Sequence, residues 1–163
     1  MTFNYTSTLE SVYKIPKKNI TYLHNKAENQ SSTLIIGHNR RIKSLNDPRA
    51  AEDADPRVWN GNIAVDKYFF STYKQTNEII AKNSSWFRAL RSVKEIILLG
   101  HSLSDVDLPY FIEINKYAKK SKWIVSYHDP GDRLFHPKVL MSLGVSDKNI
   151  RMIRLNEVEG PNA

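Results

Sequence analysis

The chain has 163 residues, 40% apolar and 25% charged, with a net charge of +7 and a pI of about 9.5. That length suits one domain with a real core. It has no cysteine, which excludes disulfides, thiolate metal sites and thiol nucleophiles.

In chain order, Met1–Tyr5 reads as the tail of a strand. Thr6 or Ser7 can cap a helix carrying Leu9, Val12 and Tyr13, with Glu10 placed to complete a capping box and Pro16 as the stop. Asn19–His24 alternates and reads as a strand, Lys26–Ser32 as a turn, and Thr33–Gly37 as a second short buried strand. From His38 to Asn62 there is no clear period, and a short helix is expected around Arg49–Asp53. Val65, Tyr68, Phe69, Thr72, Thr76, Ile79 and Ile80 recur at helical spacing up to Lys82, and core packing is the expectation for that face. Asn83-Ser84-Ser85 stops that helix and caps another from Trp86 to about Ser92.

Ile96-Ile97-Leu98-Leu99 is the apolar run of a strand covered on both faces, as in a parallel sheet. Gly100 breaks it. Helical spacing resumes with Leu108, Phe111 and Ile112 and continues to Lys119. Pro109 is tolerated only in a first turn, so that helix starts near Val106–Leu108 with Asp107 or Asp105 as N-cap. Gly100–Ser104 is then a tight loop at the carboxyl end of a buried strand, where open α/β sheets bind ligands. Trp123–His128 is a further strand, Asp129-Pro130-Gly131-Asp132 a turn, Pro137–Leu143 a short helix closed by Gly144, and Asn149–Leu155 the last strand. The alternation predicts a mostly parallel α/β sheet with flanking helices in one domain over residues 1–155, followed by a frayed tail over 156–163.

No apolar run approaches the roughly 20 residues of a membrane span. The first residues lack a secretory signal, so no membrane partner is expected and the location expected is cytoplasmic. The basic residues are dispersed, the tightest groups being Lys17-Lys18, Arg40-Arg41-(Ile42)-Lys43 and Lys119-Lys120-(Ser121)-Lys122. They describe a solvated basic surface, or one that meets a polyanion: nucleotide phosphates or nucleic acid. No histidine pair has metal-ligand spacing, and no metal is expected.

Gly100-His101-Ser102-Leu103-Ser104 resembles a nucleophile elbow, with Asp129 or Asp132 and then His136 in Ser…Asp…His order. That reading is set aside. Ser104 stands where the elbow needs Gly, and too little chain separates Ser102 from His136 for the usual strands. His136 then reads as a surface histidine before a proline.

Phe3-Asn4-Tyr5-Thr6 with Thr8-Leu9-Glu10, Ile20-Thr21-Tyr22-Leu23-His24, and Leu98-Leu99-Gly100-His101-Ser102-Leu103-Ser104-Asp105-Val106-Asp107 with Tyr110-Phe111 come in order. These motifs resemble the C-terminal part of AbiH-family abortive-infection proteins, which defend bacteria against phage. More distantly the skeleton resembles the sirtuin-like, Rossmann-like NAD-binding fold. That resemblance implies a nucleotide ligand, with NAD as ligand or substrate. It sets Asn4 at the ribose-side Asn and His24 at the general base, and Gly100, His101 and Ser102 in the phosphate or ribose loop. The carboxylates beside that loop, Asp105 and Asp107, suit ribose hydroxyls. The family's Gly-Asn-Gly-Phe-Asp-like opening has no counterpart here. The resemblance therefore implies a missing first βα unit, supplied by an N-terminal segment or a separate chain, and self-association of the chain alone. Asn25 stands where the family has Gly. Two other functions stay open: a non-catalytic piece completing a split defence protein, and a basic nucleic-acid-binding module.

Overall fold

The structure, a computed structural model, describes residues 1–39, 43–47 and 54–157. The helix expected around Arg49–Asp53 and the end of the tail, 158–163, lie outside the described residues. The chain divides into two compact units, Met1–Gln75 and Thr76–Ala163.

In the first unit the expected strands reduce to isolated bridges. Thr2 pairs in parallel with Tyr22, and His38 with Tyr73. Helix α1 is one turn, Thr8–Ser11, and Ser7 makes no side-chain cap. The capping box does not form because Glu10 is engaged elsewhere: Lys26 Nζ donates to it at 2.9 Å and the Tyr22 hydroxyl at 3.3 Å. Lys26 also pairs with Glu28 at 3.3 Å. The Lys26 hydrogen bond holds the Glu10 carboxyl below its ordinary value, against an opposing push from burial, and the Glu10 hydrogen bond holds the Lys26 ammonium above its own.

Helix α2, Pro56–Ser71, begins inside the stretch that showed no period. Asp55 caps it by accepting from the Arg57 N–H at 2.7 Å, and Pro56 sits in its first turn, where no N–H is needed. Its first half, before Val65, shows no period because its apolar residues do not share one buried face. Val58, Ile63, Tyr68 and Phe70 are each about half exposed or more, and the only buried residue of the helix is Asp66. Val65 and Tyr68, expected in the core, therefore face outward, and Phe69 is half-buried. Asp66 instead anchors a loop: it accepts from Ser44 Oγ at 2.6 Å and from the Leu45 N–H at 3.1 Å. The helical pattern then breaks, since Thr72 N–H closes on Tyr68 and the next helix starts at Thr76.

The second unit is α/β. Helices α3, Thr76–Lys82, and α4, Ser84–Ala89, pack on α5, Leu108–Tyr117. Strands β1, Glu95–Leu98, β2, Lys122–Tyr127, and β3, Ile150–Arg154, form a parallel sheet in the order β1-β2-β3. The register sets Ile96 beside Trp123 and Leu98 beside Val125. Trp123, Val125 and Leu98 are buried with Tyr110, Phe111 and Ile114 of α5 and Leu140 of helix α6, Pro130–Ser142. Asn115 of α5 donates to the Leu143 carbonyl at 3.1 Å, tying the ends of the two crossover helices together.

Three expectations are corrected here. The first concerns the two-faced cover of β1. Ile97 is 55% exposed and Leu99 49%, so one face of that strand is open, and β1 pairs with no strand other than β2 among the described residues. The second is the Asp129–Asp132 turn, which is the start of α6. Asp129 caps it by accepting from the Asp132 N–H at 3.0 Å, with Pro130 in the first turn. The third is Pro137, which therefore lies inside a longer helix rather than starting one. It has no N–H to give the Arg133 carbonyl four residues back, a local loss the neighbouring turns sustain.

Candidate functional site

The loop after β1 is built by its own side chains. Gly100 takes φ +61°, and a Cβ there would meet nothing within 4 Å. Its N–H donates to Ser126 Oγ at 2.9 Å, which fastens the loop to the end of β2. His101 turns back on the loop: Nδ1 accepts from the Leu103 N–H at 2.9 Å, and Nε2 faces Asp107 Oδ2 at 3.5 Å. One nitrogen accepting and the other facing a carboxylate fixes the ring as the Nε2–H tautomer. The ring edge also meets Phe111, with centroids 5.0 Å apart. Leu103 is driven into the core, 1% exposed, at a left-handed φ of +52°. Asp107 ends the loop as N-cap residue of α5, with Pro109 in the first turn, as the spacing predicts.

Gly100, His101 and Ser102 line a cleft of about 200 Å³ at the carboxyl edge of the sheet. Ser126, Tyr127 and His128 line it from the end of β2, and Asp132 and His136 from α6. Ser102 is exposed in it. Asp105 and Asp107 do not line this cleft. A second cleft of about 360 Å³ shares Tyr127, His128 and Leu155 with the first and adds Arg154.

His136 is not a surface residue. It is 2% exposed, and neither ring nitrogen makes a hydrogen bond among the described residues. Asp132 Oδ1 lies 3.7 Å from Nε2, beyond hydrogen-bond range. Each unmade bond on a buried group costs about 1–3 kcal/mol. A sequence signal for His136 existed. Taken as a helix start, Asp129-Pro130 puts Asp132, His136 and Leu140 four residues apart on one face.

Ser102, Asp132 and His136 thus share one cleft, yet they do not form a hydrolase triad. The Asp132–His136 separation is too long, and the chain after Ser102 runs through an irregular loop to Asp107 instead of entering a helix at once.

Asn4 and His24 lie in the first unit. Each stands two residues beyond the isolated Thr2–Tyr22 bridge, which does not continue as a ladder to them: the chain turns at Leu23–His24. Asn4 is exposed; His24 is 3% exposed. Its ring packs edge-on to Phe3 at 5.5 Å and beside Tyr5 at 6.0 Å, and Nε2 accepts from the buried Lys74 ammonium at 3.3 Å. Asn25 follows at φ +64°, a left-handed position that Gly or Asn fills most readily. Its side chain donates to the Thr33 carbonyl at 2.7 Å.

The second unit is therefore an α/β structure with a small open parallel sheet, flanking helices and, at the carboxyl edge, a cleft lined by serine, histidine and aspartate residues. The profile of the bacteriophage abortive infection family AbiH matches residues 1–127, and the chain belongs to that family. It is a phage abortive-infection protein. The match spans Asn4, His24 and the whole Gly100–Asp107 loop and ends with β2, leaving α6 and β3 outside it. No curated protein and no solved structure matches the chain.

Proposed function

We propose that this AbiH-family protein binds a nucleotide of the NAD class in the strand-end cleft of its second unit, in a Rossmann-like, sirtuin-like manner. The observation that carries the reading is the loop Gly100–Ser102 opening on a cleft where parallel strands end, the place where open α/β sheets bind ligands. The donor set suits such a ligand: the Ser102 hydroxyl, ring nitrogens at His128 and His136, and Arg154 next door. The test is a thermal-shift titration with NAD, ADP-ribose and AMP, since a ligand of the folded state raises its melting temperature. Ser102→Ala should weaken binding by about 1–2 kcal/mol, the scale of one lost hydrogen bond. The absence of any shift removes the reading. Covalent labelling of Ser102 by a fluorophosphonate replaces it with a hydrolase.

A second reading rests on the half-exposed Ile97 and Leu99. Parallel sheets are normally covered on both faces, so the chain would complete a fold together with a further segment or subunit. Sedimentation tests it: a strictly monomeric chain that unfolds cooperatively opposes completion by another copy or chain.

A further inference from the structure

Among the polar groups lining the cleft, His136 combines deep burial with two ring nitrogens that have no hydrogen-bond partner among the described residues. We propose that His136 and Asp132 together form the ribose-diol subsite of the cleft, with Arg154 and His128 facing the phosphate. This rests on the nucleotide reading above and extends it to residues beyond the family match. The separation of His136 Nε2 from Asp132 Oδ1, 3.7 Å, is too long for a direct bond and matches the span of one intervening hydroxyl oxygen, which has to reach a ring nitrogen that is closed off from solvent without ligand. A sugar hydroxyl both donates and accepts. A neutral imidazole offers one donor and one acceptor, and a carboxylate accepts, so the pair can satisfy two adjacent hydroxyls without either group changing its charge. The carboxylates expected to hold the ribose are placed otherwise: Asp107 faces His101, and Asp105 does not line the cleft. The adjoining cleft, reached past Tyr127 and His128, presents Arg154, a guanidinium suited to phosphate. A cleft of about 200 Å³ suits a sugar rather than a whole dinucleotide, with the phosphate extending into the neighbouring space.

The experiment compares AMP with 2′,3′-dideoxy-AMP on the full chain by calorimetry, for the wild type, His136→Leu and Asp132→Asn. The wild type should bind AMP at least tenfold more tightly than the dideoxy form. His136→Leu should melt no lower than the wild type without ligand, because it removes two unsatisfied nitrogens. It should bind AMP at least tenfold more weakly and lose the preference. Asp132→Asn should narrow the preference and, if His136→Leu fails to fold, stands in for it. Equal binding of the two nucleotides by the wild type, or a preference that survives in the folded variants, overturns the subsite and leaves the nucleotide reading intact. No binding of AMP overturns both. In the imidazole proton spectrum His136 should move on adding AMP and stay still on adding inorganic phosphate. Movement with phosphate alone would make it an anion contact and also overturn the assignment.

Discussion

His101 is the best place to separate a residue that builds the loop from one that meets a ligand. Replacing it with Ala removes the acceptor of the Leu103 N–H and the ring against Phe111. Leaving a buried N–H unpaired costs about 1–3 kcal/mol, and an edge-to-face aromatic pair is worth about 0.5–1.5 kcal/mol beyond burial. Together these give a loss of about 3 kcal/mol, which moves a urea midpoint by about 1–2 M at a slope near 2 kcal/mol/M. Two further variants divide the sum. His101→Asn keeps an acceptor two residues before the Leu103 N–H, as in an Asx turn, and loses the ring. His101→Phe keeps the ring and strands the N–H. Each should lose part of the total, and only the Ala and Phe variants should speed hydrogen exchange at the Leu103 amide. If all three variants keep wild-type stability and Leu103 exchange while nucleotide binding falls, His101 is a ligand contact and the architectural account fails.

Gly37→Ala should lower the stability of the first unit by about 2 kcal/mol or more, from left-handed strain and a broken backbone bond. The added Cβ would lie 1.8 Å from the Thr72 carbonyl oxygen, at φ +147°, and that oxygen accepts the His38 N–H at 3.1 Å. Faster amide exchange at His38 and Lys74 is the readout, and unchanged exchange refutes the clash. Acid should weaken the Glu10–Lys26 contact. The folded Glu10 carboxyl is held below its ordinary value, so its contribution is present above that value and lost as the pH falls through the folded one. Lys26 is held above its ordinary value, so its share is lost only as the pH rises through the folded value at the alkaline end. Urea midpoints against pH should show a shallower acid limb in Glu10→Gln, and an identical limb would count against the pair.

The sequence revealed the second unit better than the first. The β1 strand, the loop at Gly100 and the start of α5 were legible because an apolar run, a glycine and a first-turn proline each obey a local rule. The first unit's strands were not. Residues such as Ile20 and Tyr22 alternate as strand residues do, but Thr2 and Tyr22 form a single bridge and propensity alone cannot extend it. The first half of helix α2 escaped notice because Val58 and Ile63 are exposed and share no buried apolar face, whereas its second half, from Val65, shows helical spacing even though Val65 and Tyr68 face outward. Of the candidate site, the loop itself was legible. The roles within it were not: His101 and Asp107 face each other, and His136 was read as a surface residue because Pro137 suggested a helix start, whereas Asp129 and Pro130 had already begun the helix.

Leu103 meets two demands that no single residue satisfies together. Glycine would relieve its left-handed backbone but empty a site that is 1% exposed, and removing a buried leucine side chain costs about 2.7–5 kcal/mol, against about 1–2 kcal/mol for the strain. Asparagine tolerates the backbone and would bury an amide there. The leucine is thus the better compromise, and its burial outweighs the strain by enough to keep the loop in one shape. A loop ordered in this way meets its conformational entropy cost during folding, not when a ligand arrives. Molecules that bind at Gly100–Ser102 should therefore encounter a stiff rim and associate with little loss of loop motion.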